Sequence, residues 1–233
     1  MRFAKFLIPA VTVSALGLGG FTFIHAEDSH GMTENHEGHE GHEGHQGHEG
    51  HQGHEGHDHS MHLKAMQNNT YNLSSQDYSP PDVTLLNQAG EEQSLHELLS
   101  QDRPVALNFI FTTCTTICPV MTSTFAAMQR ELDESELERL QVISVSIDPD
   151  YDRPEVLHTY SQRFHAGNNW VFLTGNSLDV NNVMRAFGVY EGSKMNHKPV
   201  SLLRKAPGEH WLRVDGLASG KNLAELVEKN LFN

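Results

Sequence analysis

The chain of 233 residues carries 16 Lys and Arg against 30 Asp and Glu, a net charge of −14 with its 17 histidines neutral, and two cysteines. That balance argues against nucleic acid as a partner. Much of the acidity is local: residues 27 to 62 hold nine acids and no Lys or Arg, and the rest is ordinary for one soluble domain.

Met1-Arg2-Phe3-Ala4-Lys5 puts two cations ahead of an apolar stretch from Phe6 to Ile24, then Ala26 and acidic polar sequence. Residues 1–26 therefore read as an export signal. The stretch also suffices to span a bilayer, so a retained N-terminal membrane anchor is the alternative. Either places the folded part in the periplasm or on the outer face of the inner membrane, where disulfides persist.

Residues 27–62 form a tract in which His36, His39, His42, His45, His48, His51, His54 and His57 recur every third position, extended by His59 and His62. With a Gly in each triplet and little apolar content it builds no core and is expected to be disordered. Imidazoles at this density suit Cu(II), Zn(II) or Ni(II) as secondary, low-affinity sites; a solvated spacer is the bland alternative. Residues 63–78 read as a linker, and 79–233 as one globular domain with an adequate core.

Within the domain, Val83–Leu86 is a strand before a turn and Ser94–Leu99 a short helix. Val105–Phe111 is an apolar run fitting a central strand buried on both faces. Pro119 suits a first helical turn, and Val120, Met121, Phe125, Met128 and Leu132 give that helix a core face. Gln141–Ile147 is a second buried strand, Pro154–Phe164 a helix, Trp170–Leu173 a strand and Leu178–Phe187 a helix. Val200–Leu203 and Leu212–Val214 form a hairpin, and Asn222–Leu231 a closing helix. Strands alternating with helices imply an α/β arrangement with a mixed central sheet flanked by helices.

Cys114 and Cys118 stand where the strand 105–111 gives way to a helix. Two sulfurs spaced i, i+4 there share one electropositive helix N-terminus, which favours thiolates. Such a pair can close a small disulfide or jointly hold a soft metal.

Phe111 to Cys118-Pro119, the later Ser146-Ile147-Asp148-Pro149 with Asp152, and a lone His197 before a hairpin together resemble the SCO/SenC family of thioredoxin-fold copper proteins. The resemblance covers about Ser79 to Phe232. It implies a thioredoxin-like fold, Cys114 and Cys118 as copper thiolates that also form a redox-active pair, and His197 as third ligand to one Cu(I) or Cu(II). It also implies a metallochaperone rather than an enzyme. The implied partner is the copper-bearing subunit of cytochrome c oxidase, whose dinuclear centre it helps assemble, or another periplasmic copper chaperone. Two soft sulfurs and one imidazole favour Cu(I) over hard cations and leave a position open for a partner's ligand.

The sequence departs from the family at Thr115-Thr116, where Pro-Asp is usual, and at His197-Lys198-Pro199. Pro199 stands where thioredoxin relatives place a cis proline, and Lys198 is expected to favour thiolate. If so, a thiol-disulfide oxidoreductase is the rival, with Cys114 attacking and Cys118 resolving; a metal buffer acting through the histidine tract is the third reading. Asp148 is expected to steer a basic partner or accept a hydrogen bond near the site, and Asp152 to cap the helix at Pro154. Met121 and Met195 each carry a thioether suited to Cu(I); helical spacing places Met121 in the core, Met195 two residues before His197 stays open, and Phe109 and Phe111 are expected as apolar walls.

Overall fold

The computed structural model describes residues 71–233. The stretch expected to be an export signal and the histidine tract expected to bind metal, His36, His39, His42, His45, His48, His51, His54, His57, His59 and His62 included, lie outside the described residues. In chain order the elements are β1 (Tyr71–Gln76), β2 (Thr84–Asn87), β3 (Glu92–Ser94), α1 (Leu95–Ser100), β4 (Val105–Ile110), α2 (Ile117–Glu131), α3 (Glu134–Arg139), β5 (Gln141–Ser146), α4 (Pro154–Arg163), β6 (Trp170–Thr174), α5 (Ser177–Ala186), β7 (Val200–Arg204), β8 (Trp211–Gly216) and α6 (Gly220–Val227). A 3₁₀ turn at Lys194–Asn196 precedes β7, and a π turn at Glu228–Phe232 follows α6.

One sheet holds the strands in the order β1-β8-β7-β4-β5-β6-β2-β3. β4, β5 and β6 run parallel because helical crossovers join them, whereas β7, β8 and β1 add antiparallel neighbours on one side and β2 and β3 on the other. Every residue of β4 and β5 is buried, which explains their near-continuous apolar sequence.

Side chains two apart in a strand share a face. On one face Trp170 and Phe172 of β6 meet Phe125 of α2 and Tyr160 of α4. On the other, Phe109 of β4 meets Phe187 at the end of α5, which packs on Trp211 and Tyr78. Helices thus flank both faces.

Three differences from the sequence reading have physical causes. Tyr71–Gln76, taken as linker, is an edge strand paired with β8 from Tyr71↔Gly216 to Gln76↔Trp211. Its hold is backbone pairing, with Asn72, Leu73, Ser75 and Gln76 exposed, so it shows no hydrophobic run. β3, of three residues, is the polar strand at the other edge. α3 buries no residue and rests on a capping box between Asp133 and Glu136.

Candidate metal centre

β4 ends at Ile110, and Phe111 to Thr116 loop over the C-terminal edge of the parallel strands before α2 begins. The loop is fastened from below by Asp152. Its carboxylate accepts the Thr112 N–H at 3.2 and 3.1 Å, the Thr112 hydroxyl at 2.5 Å and the Ser146 hydroxyl at 2.6 Å. Asp152 is thus not the cap of α4; Arg153 occupies that position with no side-chain bond. Burial, partly opposed by those hydrogen bonds, raises the Asp152 carboxyl above its ordinary range.

The two cysteines are unequal free thiols. Cys114 is half-buried and Cys118, in the first turn of α2, is fully buried. Burial pushes the Cys114 thiol up, but hydrogen bonds outweigh it: the Thr116 hydroxyl at 3.5 Å, the Cys118 and Thr116 backbone N–H groups, and the Cys118 thiol hold it below its usual value. Thr116, the N-cap of α2, makes no capping bond with its side chain. Its hydroxyl lies instead 3.5 Å from the Cys114 sulfur. Cys118 is pushed far above the thiol range by burial, reinforced by the Cys114 and Asp152 charges, and keeps its proton for Cys114. Behind the pair, the Thr122 hydroxyl donates to the Cys118 carbonyl at 2.9 Å and so accepts from Tyr160 at 3.0 Å.

His197 is 8 % exposed, after the 3₁₀ turn. Its Nε2 lies 3.0 Å from the Phe109 carbonyl oxygen, which can only accept, so Nε2 carries the proton. Nδ1 therefore presents a lone pair, buried and without a hydrogen-bond partner. Burial lowers the imidazole below its ordinary value, outweighing the Phe109 carbonyl and Glu191.

Cys114 and His197 line one cavity of about 340 Å³ with Phe111, Thr116, Lys194 and Met195. Cys118 stands behind it, and no three His, Cys, Asp or Glu side chains among the described residues already form a metal-ready cluster. Asp148, 8 % exposed, pairs with Lys194 at 2.5 Å, and the Lys194 ammonium lies 5.8 Å from the Phe111 ring centroid. Lys194 carried no motif, since only folding brings it to Asp148.

Other expectations sort differently. Lys198 pairs with Glu191 at 2.8 Å, and hydrogen bonds rather than this cation hold Cys114 down. All described peptide bonds are trans, the one before Pro199 included, so the expected cis proline is not formed. Met121 is core and Met195 is not. Phe109 is fully buried and Phe111 nearly so, as walls. His96, His158 and His210 hydrogen-bond Ser100, Gln162 and Asp77. His165 closes α4 in the left-handed region at φ 53°. None of these four lines the cavity.

The sequence model described as SCO1/SenC matches residues 73–229. The SCO1 protein homolog of Bacillus subtilis is 35 % identical over 102 residues, 43 % of this chain and 51 % of the relative, so the match spans about half of that protein's length. The solved structure of BsSco, whose description concerns a disulfide switch in a member of the Sco family of cytochrome c oxidase assembly proteins, is 26 % identical. It superposes at a TM-score of 0.55 over 66 % of this chain and 94 % of that one. Arabidopsis thaliana ScoI with copper bound, 24 % identical, shares the fold at a TM-score of 0.55 over 64 % of this chain and 96 % of its own. A mixed sheet flanked by helices, with a cysteine turn after its central strand and this sequence match, makes the chain a thioredoxin-like member of the SCO1/SenC family.

Proposed function

We propose that this protein is a copper metallochaperone that holds one copper ion through Cys114, Cys118 and His197. The buried, unpartnered Nδ1 of His197, a residue that lines one cavity with Cys114, carries this reading. A buried acceptor without a partner costs about 1–3 kcal/mol, and a bound metal offers it one. The hydrogen bond to Phe109 sets the tautomer that a ligating histidine needs. With two thiolates in the set, soft Cu(I) is the cargo these donors favour. The Cys114 thiol is held below its usual value, whereas Cys118 is pushed above it and must release its proton, so loading is coupled to proton release.

As a family member that resembles BsSco, the protein is proposed to serve cytochrome c oxidase assembly. It would meet the oxidase's copper-bearing subunit or another copper chaperone, in the periplasm or at the outer face of the inner membrane. The tract from His36 to His62 is proposed to hold copper, zinc or nickel and to raise local copper.

The test is Cu(I) competition on the reduced full chain, with a chelator strong enough to strip imidazole-only sites. One tightly held ion is expected, with affinity reduced about a hundredfold in Cys114→Ser and in His197→Ala. Affinity indifferent to His197→Ala overturns the site.

The asymmetry of the thiols favours a second reading, disulfide exchange. Cys114 thiolate would attack a partner disulfide, forming one S–S bond as the partner's bond breaks. Cys118 would then displace the partner, which leaves with both electrons.

A further inference from the structure

We propose that Met195 is a handover ligand, whose thioether engages Cu(I) at the mouth of the cavity before the inner ligands take it and again as they give it up. The inference rests on the copper reading above and adds a residue to it.

Met121, Met128 and Met184 are 3 %, 0 % and 5 % exposed and serve as packing. Met195 is 77 % exposed, the highest among the described large apolar side chains, and yet it lines the Cys114–His197 cavity. Packing gives no reason for methionine at this position; what remains is its soft, neutral sulfur, suited to Cu(I).

The backbone here is fixed while the side chain is free. Met195 is the middle residue of the 3₁₀ turn, and its N–H donates to the Ser193 hydroxyl at 3.3 Å. The His197 N–H donates to the Lys194 carbonyl at 3.2 Å, closing the same turn. Met195 and His197 therefore hold a constant separation along one rigid turn, and the unbranched side chain alone moves the sulfur. Charge is arranged to match. The lysines on either side of this segment are both neutralised, Lys194 by Asp148 at 2.5 Å and Lys198 by Glu191 at 2.8 Å, so repulsion of an approaching cation is reduced.

Soft donors thus run from solvent inward: exposed Met195, half-buried Cys114 with His197 beside it, and buried Cys118. Handover is ligand exchange with no change of oxidation state. The Met195 sulfur forms a bond to copper as a donor molecule's ligand leaves, and the Cys114 thiolate then displaces it. A thioether carries no proton and no charge, so the first capture waits on no titration.

Stopped-flow measurement on the reduced full chain, with a coloured Cu(I) chelator as donor in one direction and acceptor in the other, reads capture and release. Met195→Leu keeps the bulk and, at an exposed position, the fold. We expect both rates to fall about tenfold while the equilibrium affinity stays within about twofold of the parent. Unchanged rates overturn the handover role, and so does weaker affinity with faster release, which would make Met195 a resident ligand. Slower transfer to a protein acceptor with normal chelator rates also overturns it, because that result marks a docking contact. Cys114→Ser in the same assay separates the two levels. Retained tight binding there sinks the copper site itself, whereas lost binding there with normal Met195→Leu rates sinks only the handover.

Discussion

Cys114 and Cys118 illustrate how much four residues of chain can separate two identical groups. One sulfur faces N–H donors at a helix start and the other lies behind it among apolar walls, so the same thiol chemistry is held low at one position and high at the other. Iodoacetamide is therefore expected to modify Cys114 first, read by peptide mass spectrometry against pH. Thr116→Val removes the hydroxyl at 3.5 Å and should move the Cys114 reaction midpoint upward. His197 makes the converse statement. Its folded-state pKa is depressed by burial, so its contribution to stability is present above the ordinary imidazole value and is lost as pH falls through the lower folded value. In metal-free protein, urea unfolding below about pH 6.5 should show less acid destabilisation in His197→Gln than in the parent.

At the scale of elements, the site depends on how α2 is seated. Gly220, the first residue of α6, lies so close to α2 that an added Cβ would meet the Ala127 Cβ at 2.3 Å. Gly220→Ala must push the two helices apart, and we expect a loss of about 1–3 kcal/mol by chemical denaturation. Such contacts were not legible in the sequence, because nothing local marks which glycine faces which alanine. The central strands were legible: burial on both faces writes Val105 to Ile110 and Gln141 to Ser146 as apolar runs. α3 had a signal as well, the Asp133-x-x-Glu136 pair, whereas Asp152 misled because its position two before Pro154 mimics a cap. The cysteine motif and His197 could be named from the chain. The His197 tautomer, the Asp152 fastening under Thr112 and the Lys194–Asp148 pair required the fold, since each joins residues from separate elements.

For the whole molecule, the sheet begins earlier than hydrophobicity indicates. Deleting through Tyr78 removes β1, exposes the edge of β8 and takes away the Tyr78 ring from Phe187 and Trp211. A chain starting at Ser79 should be less stable than one starting before Tyr71 by about 3 kcal/mol or more, measured by urea unfolding. The two edge strands are largely polar and the parallel centre is covered, so β4 to β6 give the cysteine loop its base.

The N-cap residue of α2 turns its hydroxyl to a sulfur, Thr116 lying 3.5 Å from Cys114, where most caps turn an oxygen to a first-turn amide. That sulfur, unlike a serine hydroxyl, can be alkylated, oxidised or drawn into a metal's coordination shell, and each event would change what the Thr116 hydroxyl is bonded to. The cap hydroxyl would then be released to turn back to the first turn of α2. The chemical state of one sulfur would thereby be felt at the start of a helix 15 residues long.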